Sequence, residues 1–230
     1  MTIETDMSRE EAWFKEKLAR RCLTAMEKHN IPGHYCPDRD EALQKILEMI
    51  PPGVTIGAGD SVTLSQIGIL DELEKRGSHQ VFDPFRKDGE DCMPDTFRDL
   101  IETGKQALAT DYFLTGLNAI TVDGKIVNTD RTGNRASGLI FGPKKVIAVA
   151  GINKIVANLE EALARVKEVA APLNAYRHHI KHEMDTPPCA ITGTCADCRH
   201  PRRICCYTVI VEYQITPRIE LVIVGEDLGI

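Results

Sequence analysis

Five of the eight cysteines in this chain fall between Cys189 and Cys206. The order Cys189-x5-Cys195-x2-Cys198-x6-Cys205, with Cys206 adjacent, puts four thiols and a spare on one short segment. A C-x2-C pair reaches one metal from a tight turn, and flanking cysteines complete a set of four sulfur ligands. Structural zinc sites mostly use two such pairs, and only one is present here. Three thiols within ten residues and a fourth further on also suit a 4Fe–4S cluster, so spacing leaves both groups open. Arg199, Arg202 and Arg203 would offset the negative charge of either. Clustered cysteines in a chain that starts with an acidic stretch rather than a secretion signal point to metal or redox chemistry more than to disulfides. Cys22, Cys36 and Cys92 are scattered and read as buried apolar filler. His178 and His182 stand at i, i+4, a spacing that suits a metal as well as a helix C-terminus.

A second set of residues suits anion chemistry. Thr55-Ile56-Gly57-Ala58-Gly59-Asp60-Ser61-Val62-Thr63-Leu64 reads as a strand, a glycine turn and a helix. Such turns let backbone N–H groups approach an anion, and Gly57, Gly59, Asp60, Ser61 and Thr63 are the candidate binding residues; a tight turn with a helix cap is the equal alternative. Val62 stands where a dinucleotide fingerprint has its third glycine, and no Gly-Lys-Ser/Thr follows, so neither nucleotide-loop motif is met. Between Asn118 and Arg135, Asn, Asp, Thr, Gly and Arg crowd around one hairpin. Asp123-Gly124 there is turn chemistry. Asn118, Asp130, Asn134 and Arg135 are too many for turns alone, and Asn153 and Lys154 follow an apolar strand at a place where a lysine meets phosphate or carboxylate; an ordinary surface lysine is the equal alternative there. Asp130 and Lys154 are the candidate catalytic pair.

These residues need elements to position them. Glu10–Asn30 places Trp13, Phe14, Leu18, Cys22, Ala25 and Met26 on one helical face, with Ser8 and Glu11 as a capping box. Asp40–Ile50 is a second helix, stopped by Pro51-Pro52-Gly53. From Val54 strands and helices alternate: a helix over Val62–Arg76, a strand at Val81-Phe82, a helix capped by Asp95, a strand over Tyr112–Thr115, a two-residue hairpin around Asp123-Gly124, a buried strand at Lys145–Ala150, and a long helix from Ile155 to about Tyr176. Strands at Tyr207–Tyr213 and Ile219–Val224 follow the cysteines. This order predicts an α/β fold with an open, mostly parallel, doubly wound sheet. Four parts follow: an N-terminal helical layer (1–53), an α/β core (54–185), a metal-binding cysteine segment (186–206) and C-terminal strands returning to the core (207–230).

Composition sets the outer bounds. The 230 residues carry 28 Lys and Arg against 34 Asp and Glu, a net charge of −6, which argues against nucleic acid as a partner. No apolar run approaches the ~18 residues of a membrane span, so a cytoplasmic protein is expected.

Four blocks carry a resemblance to the lactate-utilisation (LUD) domain family: GAGDSVTL at 57–64, TGLNAITVDGKIVNTDRTGNR at 115–135, FGPKKVIAVAGINKIVANLEEALARVK at 141–167 and PCAITGTCADCRHPRRIC at 188–205. The resemblance implies a fold similar to the ribose-5-phosphate isomerase and CoA-transferase superfamily. In those relatives a glycine/serine loop after the first strand holds a phosphate, a Gly/Asp-rich turn joins the site, and a lysine follows a late strand. Gly57, Gly59, Ser61, Asp130, Gly133, Asn134 and Lys154 would take those places, while the catalytic glutamate of CoA-transferases has no counterpart. The family's link to anaerobic electron transfer favours a 4Fe–4S cluster over Zn2+ on Cys189, Cys195, Cys198 and Cys205; Cys205 is preferred to Cys206 because it closes the matching block. The expected function is binding of a small anionic or phosphorylated ligand at the carboxyl edge of the sheet, in anaerobic organic-acid redox metabolism. Iron–sulfur redox proteins and a second copy of the chain are the expected partners. The alternatives are a non-catalytic accessory subunit of an iron–sulfur lactate-oxidising complex and a ligand-binding regulator with structural zinc.

Overall fold

The structure, a computed structural model, describes residues 6–87, 90–91, 97–182 and 185–230. In chain order it contains helix α1 (Ser8–Lys28), strand β1 (Gly33–Cys36), α2 (Arg39–Met49), β2 (Thr55–Ala58), α3 (Val62–Ile67), α4 (Ile69–Arg76), β3 (Gln80–Phe82), the short ribbon β4 (Arg86–Lys87) and β5 (Glu90–Asp91), and α5 (Phe97–Leu108). There follow β6 (Tyr112–Gly116), β7 (Ala119–Thr121), β8 (Ile126–Asp130), α6 (Asn134–Ile140), β9 (Lys145–Gly151), β10 (Ile155–Val156), α7 (Leu159–Arg165), α8 (Ala171–His182), α9 (Pro188–Thr192), β11 (Tyr207–Val211) and β12 (Ile219–Val224). Asp95 and Cys92 lie outside the described residues.

Six strands form one all-parallel sheet in the order β1-β12-β9-β6-β2-β3. Its central strand β9 is apolar along its length because both faces are covered, as parallel sheets require. Val146, Ala148 and Ala150 point to one core with Ala19, Cys22 and Met26 of α1, whereas Ile147 and Val149 point to the other with α2, α3 and α4. Leu221 and Ile223 of β12 follow the first set, Val222 and Val224 the second, which is the period-2 alternation of a strand buried on both sides. A smaller sheet, β10-β7-β8-β11, stands beside the first. Ala119 and Val127 pack there on Ala162 of α7 and Val166.

Strand order positions the site. From β2 the chain runs outward to β3, then returns across β2 to β6 and continues through β9 to β12. The order therefore reverses between β2 and β6, and open α/β sheets form their binding crevices at the carboxyl ends of strands at such a switch point.

Several local details differ from the sequence-based expectations. β1 pairs with β12 at the sheet edge, although the helical layer was expected to precede all strands; with only Cys36 buried, Gly33–Cys36 has no alternating pattern. Helix α1 has Met7 at its N-cap and no side-chain cap, so the Ser8–Glu11 capping box does not form. Of the expected inward face Trp13 and Phe14 are exposed, whereas Cys22 and Met26 are buried as expected, together with Ala19. The helix expected over Val62–Arg76 breaks at Gly68, which has φ 76°. The hairpin loop holds three residues rather than two, because Thr121 pairs with Lys125 and its Oγ1 also accepts the Lys125 N–H at 2.9 Å; Gly124 supplies the positive φ. The expected long helix starts at Leu159, where Asn158 accepts from the Glu161 N–H, and 166–170 is a π-helical turn.

Gly57 illustrates how closely the core is packed. A Cβ added there would stand 2.1 Å from the Ala107 carbonyl oxygen and 2.8 Å from Thr110 Oγ1. The rigid backbone at the end of α5 cannot yield cheaply. Gly57→Ala is expected to lower stability by roughly 1–3 kcal/mol, the usual range for core overpacking. Urea unfolding checks this; an unchanged midpoint would contradict the packing described.

Candidate functional site

The switch point opens into a cavity of about 290 Å3. The β2–α3 turn brings Asp60, Ser61 and Thr63 to its wall. Ser61 caps α3 by accepting the Leu64 N–H at 3.3 Å. The β6–β7 connection brings Gly116, Leu117 and Asn118. Asn118 works as a strut: its Oδ1 accepts the Thr129 N–H at 2.7 Å, and its backbone carbonyl accepts Arg165 Nη1 at 2.7 Å.

The β8–α6 turn supplies Asp130, Arg131, Thr132, Asn134 and Arg135. Asp130 is buried; one oxygen accepts the Ala136 N–H at 2.6 Å and the other accepts Arg135 Nε at 2.7 Å. Arg135 also donates to the Thr129 carbonyl at 2.9 Å. Its stem crosses Gly59 so closely that a Cβ there would stand 2.4 Å from Arg135 Cγ. Gly133 takes φ 85° to cap α6. Gly57, Gly59, Gly133 and Asn153 are thus not among the lining residues; they let the lining residues reach their places. Asn153 ties down the C-terminal segment, its Oδ1 accepting the Leu228 N–H at 3.2 Å.

Lys154 lies beyond β9 and is only 1% exposed. Its Nζ donates to the Leu117 carbonyl at 3.2 Å and to a main-chain oxygen of Ile230. Burial, then the Arg165 and Arg135 guanidinium groups, push the ammonium down to about 7.

Helix α8 closes one side with Asn174, Arg177 and His178. Arg177 Nη1 reaches Asp60 Oδ2 at 3.2 Å, and His178 Nε2 stands 4.0 Å from the same oxygen. Burial by itself would raise the Asp60 carboxyl; Arg177, with Arg135 and His178, outweighs it and holds the group below its ordinary range. Neither Arg177 nor Asn174 was singled out from sequence, and His178 was read as a metal ligand or a helix C-terminal histidine. The available signal was the polar stripe at 174, 177 and 178, which faces inward while Leu173, Tyr176 and Ile180 of the same helix are exposed. The side chain of His182 lies outside the described residues.

The cysteine segment forms part of the same wall through Arg202, Ile204 and Cys205. Cys189, Cys195, Cys198 and Cys205 are free thiols. Burial raises the Cys189 thiol, and Cys198, Cys205 and Cys195 are near enough to add to the effect. Arg203 pins the segment by donating to the Cys198 carbonyl at 2.6 Å and the Cys205 carbonyl at 3.0 Å. The donor set is of thiolate metal-site type, but among the described residues no three His, Cys, Asp or Glu side chains are close enough together to hold a metal ion. Of the scattered cysteines, Cys22 and Cys36 are buried.

The LUD domain model matches residues 19–224, so the chain belongs to the LUD domain family. A DUF162 family protein from Deinococcus radiodurans has a similar fold, with TM-score 0.53 and 13% identity over 92% of this chain and 98% of that one. The 5-methylthioribose 1-phosphate isomerase of Pyrococcus horikoshii OT3 aligns at TM-score 0.40 and 14% identity, over 76% of this chain and 51% of the isomerase. No curated protein matches the chain. Among the described residues, no helix is long and apolar enough to cross a membrane.

Lys154 makes the stability of the fold depend on pH. Its folded-state value, near 7, lies below the unfolded value of 10.5, so the unfolded chain binds more protons between the two. The cost of burying the ammonium is complete below about pH 7 and fades as pH rises towards 10.5. In Lys154→Met this dependence should vanish. Urea midpoints of wild type and variant should converge as pH rises from 7 to 10; a constant difference would contradict the burial described.

Proposed function

We propose that this LUD domain protein binds a small organic anion, carboxylate or phosphate, in the switch-point cavity. One observation carries the reading: among the described residues, four arginines (Arg131, Arg135, Arg177 and Arg202) and Lys154 share the lining with two side-chain carboxylates, Asp60 and Asp130, in a chain whose net charge is −6. A local cationic excess in a negative protein draws anions to it. Ser61, Thr63, Asn118, Thr132 and Asn134 add polar groups for orienting the ligand, and about 290 Å3 suits a molecule of a few carbons. Asp130 and Lys154 are the proposed acid–base pair, Asp130 set by its bonds to α6 and Lys154 by its low-dielectric surroundings.

Sugar phosphates and hydroxy acids are the probes to use. A thermal-shift series should show stabilisation of the wild type by some of them, weakened about tenfold in apparent affinity in Arg202→Glu and Arg131→Glu, each charge reversal being worth on the order of 1–2 kcal/mol. Equal shifts in all three proteins, or none in any, would overturn the reading.

Cys189, Cys195, Cys198 and Cys205 are proposed to hold a 4Fe–4S cluster beside the ligand, with Zn2+ as the alternative. The support is chemical: four free thiols, of which Cys198, Cys205 and Cys195 lie near enough to act on Cys189, on a segment pinned by Arg203 and bordered by Arg199 and Arg202. Such a cluster supplies electron transfer, which suits the organic-acid oxidation after which the family is named, and iron–sulfur redox proteins would be the partners. Protein purified without oxygen should show a broad band near ~400 nm with about four iron and four sulfide per chain. The band should be lost in Cys205→Ser and kept in Cys206→Ser. One zinc per chain and no colour would replace the cluster with a structural clasp; neither metal would overturn the assignment.

A further inference from the structure

Helix α8 is the reverse of an ordinary surface helix, which turns its apolar face to the core. Its inward side brings Asn174, Arg177 and His178 to the cavity wall, and its outward side is apolar. Val169 in the π-helical turn and Leu173, Tyr176 and Ile180 of α8 are each between 39% and 64% exposed. Their spacing, i, i+4, i+7 and i+11, sets them in one row about 16 Å long. Among the described residues no other helix carries four exposed large apolar side chains in a row. Such a row is the seam along which helices pair, and an apolar surface that the fold leaves uncovered marks a contact with a partner.

The row selects its partner through its symmetry. Its gaps are four, three and four residues in either direction. A second α8 laid antiparallel therefore sets Val169 against Ile180 and Leu173 against Tyr176, each contact made twice about a two-fold axis. The flanking charges favour the same arrangement. Glu168 and His179 are exposed, and each immediately precedes a residue of the row, so both lie on one side of it, at opposite ends. His179 stands beside Tyr176, with ring centroids 6.3 Å apart. Antiparallel packing keeps that side of the two copies together and brings Glu168 of one to His179 of the other. Parallel packing would instead set Glu168 level with Glu168.

We propose that two copies of this chain associate through antiparallel α8 helices. Each α8 then has the cavity on one side and the second copy on the other, so one helix serves as cavity wall and as interface. The association does not depend on what the cavity binds. Helix α9 packs against α8 and leaves Ile191 exposed, which adds apolar surface beyond the row. A contact of this extent sits at the low end of specific interfaces, so the dimer is expected to form in a concentration-dependent way.

Analytical ultracentrifugation of the full chain from about 1 to 100 µM tests this, and the wild type should pass from monomer to dimer over that range. Leu173→Glu and Ile180→Glu should each weaken the dimer at least about tenfold, because each buries an unpaired charge in the seam. Trp13→Glu, on the exposed start of α1, should leave it unchanged. Both seam residues are exposed in the single chain, so melting curves of dilute protein should match the wild type and separate lost association from lost folding. Glu168→Lys should weaken the dimer, and adding His179→Glu should restore it; no restoration overturns the antiparallel register. A wild type that stays monomeric at the highest concentration overturns the proposal. So does a dimer that survives both Leu173→Glu and Ile180→Glu, which places the contact elsewhere. A monomer that floats with phosphatidylcholine and phosphatidylglycerol vesicles, and loses that binding in Leu173→Glu, overturns it in favour of a lipid surface.

Discussion

Asp130 ties the two sheets of this protein into one site. Its carboxylate ends β8 of the small sheet, takes the Ala136 N–H in the first turn of α6, and grips Arg135, whose stem passes over Gly59 at the carboxyl end of β2 in the large sheet. A buried ion pair of this kind is costly to break, because either partner left alone is an uncompensated charge. The rest of the site follows from that constraint. Gly59 must lack a side chain so that Arg135 can pass, and Asn118 must brace Thr129 so that β8 ends where it does. Arg135 then stands close enough to Lys154 and Asp60 to weigh on both.

Electrostatics divides the cavity into two regions. Around Asp60, charges are matched: Arg177, His178 and Arg135 hold the carboxylate in its charged form despite burial. Around Lys154 no side-chain carboxylate is paired with the ammonium among the described residues; Arg165 and Arg135 act on it, and its partners are the main-chain oxygens of Leu117 and Ile230. The first arrangement locks α8 to the β2–α3 turn. In the second, burial and then the two guanidinium groups push the ammonium down to about 7. Burial of a charge at such cost is characteristic of functional positions.

The alternation of strands and helices was legible in the sequence because β9 and β12 are buried on both faces and read as unbroken apolar runs. Asp130, Asn134, Arg135, Asn118, Ser61, Thr63 and Lys154 were legible as candidates because each falls at the carboxyl end of a strand, and all of them line the cavity. The glycines were noticed for the right places but for another reason: Gly57 and Gly59 give room to Ala107 and Arg135. β1 was hidden because a four-residue edge strand with one buried residue has no period. Arg177, and the place of His178 on the cavity wall, were hidden because α8 turns its polar face inward, the reverse of an ordinary surface helix. The nearness of the cysteine segment to the cavity was beyond any local pattern, since it depends on how 186–206 folds back between α8 and β11. Cys205 and Arg202 on the cavity wall give that segment a bearing on the ligand as well as on the fold.

Whether the switch-point cavity is an organic-anion site is tested by a crystal structure of the chain grown with dihydroxyacetone phosphate or glyoxylate. Density for the bound molecule is expected within the cavity, its carboxylate or phosphate oxygens about 3 Å from arginine nitrogens of the wall and its carbon skeleton against Lys154. A molecule bound at another surface, with only ordered water between Asp130, Arg135 and Lys154, would contradict it.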